Sequence, residues 1–214
     1  GIVTMLTSKV NSDHVSLEKI AQKNNIDWIE FTNNHTVREW IEKKKPDLIY
    51  CFGWSYLLPK EIYDIPRLGT VGYHPALLPQ NRGRNPIIWA IALGLKETGS
   101  TFFMIDANAD SGDIVNQRVI PISTNENART LYEKLMVTAK EQVVELTNGF
   151  IGNSVLKCPQ DDSKANYWRK RSVKDGEIDW RMCTENVLRL IRALTAPYVG
   201  AHFIYKNKMI KVWK

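Results

Sequence analysis

One stretch, residues 69–114, limits what this chain can fold into more than any other. It reads GTVGYHPALLPQNRGRNPIIWAIALGLKETGSTFFMIDANADSGDI. An apolar run ends at His74, a proline-bounded loop follows, Pro86 opens a helix, and a further strand leads to Asp110 in a D-S-G-D-I turn. A histidine closing one strand and an aspartate following another can meet above one edge of a parallel sheet. That edge, outside the carboxyl ends of the strands, is where open α/β sheets bind ligands. Taken singly, His74 reads equally well as a satisfied loop histidine and Asp110 as a turn cap; together they mark a site.

Around this stretch, strand and helix patterns alternate. Strands are expected at 2–6, 27–31, 47–52, 69–73, 100–105 and 114–122, the last alternating in the manner of an edge strand. A polar loop spans 7–13. Helices are expected at 16–24, with Ser16 as cap, and at 37–44, with Thr36 and Glu39 forming a capping box and Pro46 as the stop. Further helices are expected from Pro59, from Pro86 with Asn85 as cap, and over 126–148, ended by Gly149. The alternation predicts an α/β fold, a mostly parallel Rossmann-like sheet with helices on both faces. No G-x-G-x-x-G follows the first strand, so the dinucleotide fingerprint is absent. The division expected is a catalytic domain over 1–150 and an extension over 151–214. That extension comprises a polar, basic and aromatic linker, a helix at 184–194 and a hairpin around 206–208.

A chain of 214 residues with 43% hydrophobic and 24% charged content can bury a real core. Its net charge of +6 suits an anionic partner such as a folate, a nucleotide or tRNA, although the 43–45 lysine run reads equally as cations meeting a helix dipole. Cys51, Cys158 and Cys183 lie far apart, and the histidines at 14, 35, 74 and 202 show no ligand spacing. Neither pattern suggests a disulfide framework or a metal site, and metal-free chemistry in a reducing cytoplasm is the expectation. No apolar run is of bilayer length and no signal-peptide pattern opens the chain. Because the first residue is Gly, native residues or a tag are expected to have been lost.

The ordered residues His74, Leu77, Leu78, Pro79, Arg82, Gly83, Pro86, Thr98, Gly99, Thr101, Asp110, Gly112 and Asp113 resemble the pattern of the folate-dependent formyltransferases. That pattern is N-x-H-x-S-L-L-P-x-x-R-G-x-x-P, then T-G-x-T, then D-x-G-D. The tail, with K-R, I-D-W and R-A-L-x-x-P-Y-x-G-A in order, resembles the amino-sugar members. The resemblance implies formyl transfer from N10-formyltetrahydrofolate to the amine of a nucleotide-linked amino sugar. His74 and Asp110 would be catalytic, and Ser55, Tyr56, Leu57 and Leu58, with Asp110, would line the folate pocket. Leu57 and Leu58 read equally as core ahead of a helix.

For the substrate, Arg82 and Arg84 offer planar forks that match a pyrophosphate. Trp168, in the run 167–171, suits stacking on a nucleobase. Histidine can take or supply a proton near neutral pH, and a neighbouring carboxylate orients it. The family's Asn is replaced by Gly72. His74 aided by a water in the space beside Gly72 is the expected substitute, with Asn108 a left-handed turn residue. Two alternatives stand: methionyl-tRNA formyl transfer, and a folate- or nucleotide-binding protein without activity. The terminal hairpin could serve a homodimer.

Overall fold

The structure, a computed structural model, describes residues 1–7, 14–54 and 56–214. Most of the expected 7–13 loop, and Ser55, therefore lie outside the described residues. In chain order the elements are β1 (Ile2–Thr4), α1 (Glu18–Lys23), β2 (Trp28–Glu30), α2 (Asn34–Lys44), β3 (Ile49–Cys51), α3 (Lys60–Tyr63), β4 (Thr70–His74), β5 (Arg82–Gly83), α4 (Pro86–Ala92), β6 (Glu97–Met104), β7 (Ile114–Pro121), α5 (Ala128–Ile151), β8 (Tyr167–Trp168), α6 (Thr184–Leu194), β9 (Ala201–Tyr205) and β10 (Lys208–Val212). The α/β architecture and the C-terminal helix and hairpin agree with the sequence.

The pairing adds detail. β1 and β2 are parallel, as are β3 and β4, whereas β6 runs antiparallel to β4, and β7 antiparallel to β6. The four-stranded order is β3-β4-β6-β7, so β7 is an edge. Because β6 is reversed, its end at Met104 is level with Val71 near the start of β4, while His74 pairs with Thr101. Asp110 thus reaches His74 through the turn between β6 and β7, not from a matching strand end.

Local chemistry moves the helix starts slightly. Asn33, not Thr36, caps α2, its side chain accepting the Thr36 N–H. α5 begins after Asn127, which forms a capping box with Thr130. Asn85 precedes α4 in a left-handed conformation without capping it; its side chain instead accepts the Arg171 N–H at 3.0 Å.

α5 is the organiser of the core. Leu131 and Leu135 face α4 and α6 in a cluster with Ile87, Ile91, Ile191 and Leu194, while Ala139 and Leu146 pack on Val71 and Phe102 of the sheet. Truncating a leucine in such a cluster costs about 2–5 kcal/mol. Gln142 lies between the two groups, fully buried, with its amide donating to Ser100 O and Asn116 Oδ1 and its Oε1 accepting from Ser100 Oγ. A buried amide with every group paired locks α5 in one register against the sheet.

Candidate active site

His74 closes β4, and the loop beyond it is pinned from beneath. Thr98 and Thr101 of β6 donate their hydroxyls to the carbonyls of Pro75 and Ala76, at 3.1 and 2.6 Å. The His74 side chain is only 6% exposed. Its Nε2 lies 2.8 Å from the carbonyl of Asn81. A carbonyl can only accept, so Nε2 carries the hydrogen and Nδ1 of the neutral ring holds the lone pair. Nδ1 faces Asp110, whose Oδ2 is 3.5 Å away.

Asp110 is held just as closely. Its Oδ2 accepts the Gly83 N–H at 2.8 Å, and its backbone is left-handed, with φ +56°. Gly83 has φ +102°, and a β-carbon there would stand 2.4 Å from the Trp168 carbonyl, so only glycine fits. Gly112 is excluded from substitution in the same way, a β-carbon falling 1.8 Å from Met104 O. Asp113 contributes its carbonyl, accepting the Met104 N–H.

Beside the pair lies a cavity of about 320 Å³, lined by His74, Asp110, Tyr56, Leu57, Leu58 and Arg84. Its size falls within the range of small-molecule sites. A second cleft, near Arg192, holds about 30 Å³, room for little more than a water. Tyr56, Leu57, Leu58 and Arg84 thus share one cavity with the His74–Asp110 pair. Among the described residues no three His, Cys, Asp or Glu side chains converge as metal ligands would.

Arg82 differs from expectation. Its side chain is 3% exposed and is spent inside the protein: it donates to Gln160 Oε1, Asp162 Oδ1 and the Tyr167 hydroxyl. Reading it as a pyrophosphate ligand is corrected by this burial; it ties the His74 loop to the segment after α5. Trp168 likewise lies outside the cavity lining. Its main chain pairs with Gly83 in the two-residue parallel ladder of β5 and β8, and its ring sits 6.4 Å from Trp89. The neighbouring cations are also engaged internally. Arg171 lies 4.4 Å from the Trp89 ring centre, and burial pulls its guanidinium below the usual range. Asp175 is held well below the usual carboxylate range by its hydrogen bonds from Arg169 and the Ser172 backbone.

Gly72 lines the cavity beside His74, and a β-carbon there would meet Phe103 Cζ at 2.8 Å. Asn108, which also lines the cavity, is not left-handed; the left-handed residue of this turn is Asp110. Sequence reading missed Gln160, Asn166 and Phe103. Each gave only a common residue type, in a polar loop or an apolar strand, with no spacing to single it out.

With this geometry in hand, the formyl transferase family model matches residues 8–147, and the model of the formyl transferase C-terminal domain matches residues 170–214. A bifunctional polymyxin resistance protein, ArnA, of Wigglesworthia glossinidia brevipalpis is 34% identical over 191 residues, covering 89% of this chain and 28% of its own length. The methionyl-tRNA formyltransferase of Geotalea uraniireducens is 34% identical over 178 residues, covering 83% and 56%. The chain thus spans well under two thirds of the length of both. Among solved structures, WlaRD, a sugar 3N-formyl transferase solved with dTDP and 5-N-formyl-THF, aligns with TM-score 0.71 and 21% identity over 91% of this chain and 68% of its own.

Proposed function

The chain belongs to the formyl transferase family, and we propose that it moves a formyl group from N10-formyltetrahydrofolate to the amine of a nucleotide-linked amino sugar. The observation that carries this is the His74–Asp110 pair at the cavity, with the ring's Nε2–H committed to Asn81 and Nδ1 left as the working atom.

The amine nitrogen attacks the formyl carbon, and the bond from that carbon to N10 breaks. One proton must travel from the amine to N10. Nδ1 of His74 accepts it, and the imidazolium so formed stands beside the Asp110 carboxylate, which offsets its charge. The same proton then goes to N10 of the departing tetrahydrofolate. Asp110 cannot swing away, because the Gly83 N–H holds its Oδ2. Tyr56, Leu57 and Leu58 give the cavity an apolar stretch suited to a pteridine, and Arg84 gives it a cation suited to a phosphate.

Sugar as acceptor is supported by the character of the tail and by the fold shared with WlaRD, whose own ligands are a nucleotide and a formyl folate. A second reading, transfer to charged initiator tRNA, is favoured by the 34% identity to a methionyl-tRNA formyltransferase. The test is direct. The protein is incubated with N10-formyltetrahydrofolate and a panel of nucleotide-linked amino sugars or charged initiator tRNA, and formylated product is followed by mass spectrometry. Product from a sugar nucleotide supports the reading; product from tRNA alone replaces it with the second.

A further inference from the structure

We infer that Gln160 is a positioning residue, one that sets the catalytic carboxylate by gripping the main chain on both sides of it. Its Nε2 donates to the carbonyl of Asp110 at 2.9 Å and to that of Gly112 at 2.7 Å. Its Oε1 is in turn held by Arg82 Nη2 at 2.8 Å and Nε at 3.2 Å. The amide therefore joins three stretches far apart in sequence: the His74 loop, the Asp110 turn and the segment after α5.

The grip falls where the backbone needs it. Asp110 is left-handed, a conformation costing about 1–2 kcal/mol for a residue with a β-carbon. Turning its peptide plane back would carry the carboxylate off the Gly83 N–H and away from His74 Nδ1. Both amide hydrogens of Gln160 are spent on preventing that turn. The His74 side of the pair is braced from the same segment: Asn166 Oδ1 accepts the N–H of Asn81, whose carbonyl fixes the His74 ring. The inference rests on reading His74 and Asp110 as the reacting pair, but its central test needs no reaction.

Gln160→Glu keeps an oxygen for Arg82 and loses both hydrogens; Gln160→Met loses both functions. If Gln160 served only to satisfy Arg82, the Glu variant would match the unaltered protein. Acting through Asp110, both variants should loosen the Gly83 N–H alike, so its amide should exchange about tenfold faster or more while α5 amides keep their protection. Where formyl transfer is measurable, kcat should fall by about 10- to 100-fold, with KM for the folate nearly unchanged. Unchanged Gly83 exchange in Gln160→Glu would overturn the inference, whatever the activity. Fast Gly83 exchange without any formyl transfer in the unaltered protein would uphold it and overturn the proposed function instead. Should either variant fail to fold, Gln160→Asn, one methylene short, is read by the same exchange measurement.

Discussion

The ring of Phe103 crowds the position a side chain on Gly72 would take: a β-carbon built there would lie 2.8 Å from Phe103 Cζ and 3.2 Å from Ile105 Cγ1. The two residues face each other across β4 and β6. Gly72→Asn would restore the family's residue, yet here its side chain has no room until the ring turns. Overpacking of this kind costs about 1–3 kcal/mol, so the variant should lose stability by that order. Phe103→Leu in the same chain should return part of the loss. Denaturant unfolding of both single variants and the double checks this; additive effects would show the ring is not the obstacle.

His74→Asn and Asp110→Asn should each lower formyl transfer by about 10² to 10⁴. Folate binding and unfolding midpoint should hardly move, because Asn tolerates the left-handed backbone at 110 and keeps an oxygen for the Gly83 N–H. Single-turnover kinetics with a bound formyl folate isolates the chemical step. A His74→Asn protein with near-normal turnover would remove His74 from the mechanism.

Salt separates the two acceptors. A tRNA held through about 6–10 phosphates would lose roughly 10³- to 10⁵-fold in affinity between about 50 and 200 mM salt, whereas one pyrophosphate gives a shallow dependence. Truncating the two arginines should also divide their roles. Arg84→Ala should raise the KM for a sugar nucleotide. Arg82→Ala should instead cost about 1–3 kcal/mol, by leaving the Gln160 and Tyr167 oxygens without their donor. Titration and unfolding of both variants decides it.

Alkali provides a fourth test. Burial pushes the Cys51 thiol from 9.0 up to about 11 and the Tyr73 hydroxyl from 10.0 up to about 12. The folded protein thus holds protons that the unfolded chain releases, so stability should fall as pH rises from the lower to the higher value of each group. Unfolding midpoints measured across that window should decline less in Cys51→Ala. At neutral pH, alkylation should reach the exposed Cys158 and Cys183 before Cys51.

Much of this site was legible in the order of residues because its chemistry is written in short spacings. His74 at a strand end, the T-G-x-T strand whose hydroxyls pin the loop, and the D-S-G-D turn each declare a local geometry. What was not legible is tertiary. Arg82 looks like a free cation until Gln160, Asp162 and Tyr167 close around it, and those partners lie about eighty residues away. The reversal of β6 was hidden for a related reason: a strand buried on both faces reads alike in either direction.

The two-residue ladder between β5 and β8 also bears on how the molecule comes apart. Gly83 and Trp168 meet across it, and the C-terminal helix fills the same apolar cluster as α4 and α5. Packing therefore couples the stretches on either side of residue 150. Heating should produce one transition reported alike by Trp fluorescence and by helical signal. A chain cut after α5 would keep every atom of His74 and Asp110 but expose Ile87, Ile91 and Leu131 to water. Supplying the missing segment as a separate peptide should restore the fold by fragment complementation, at a rate set by the concentration of the two pieces.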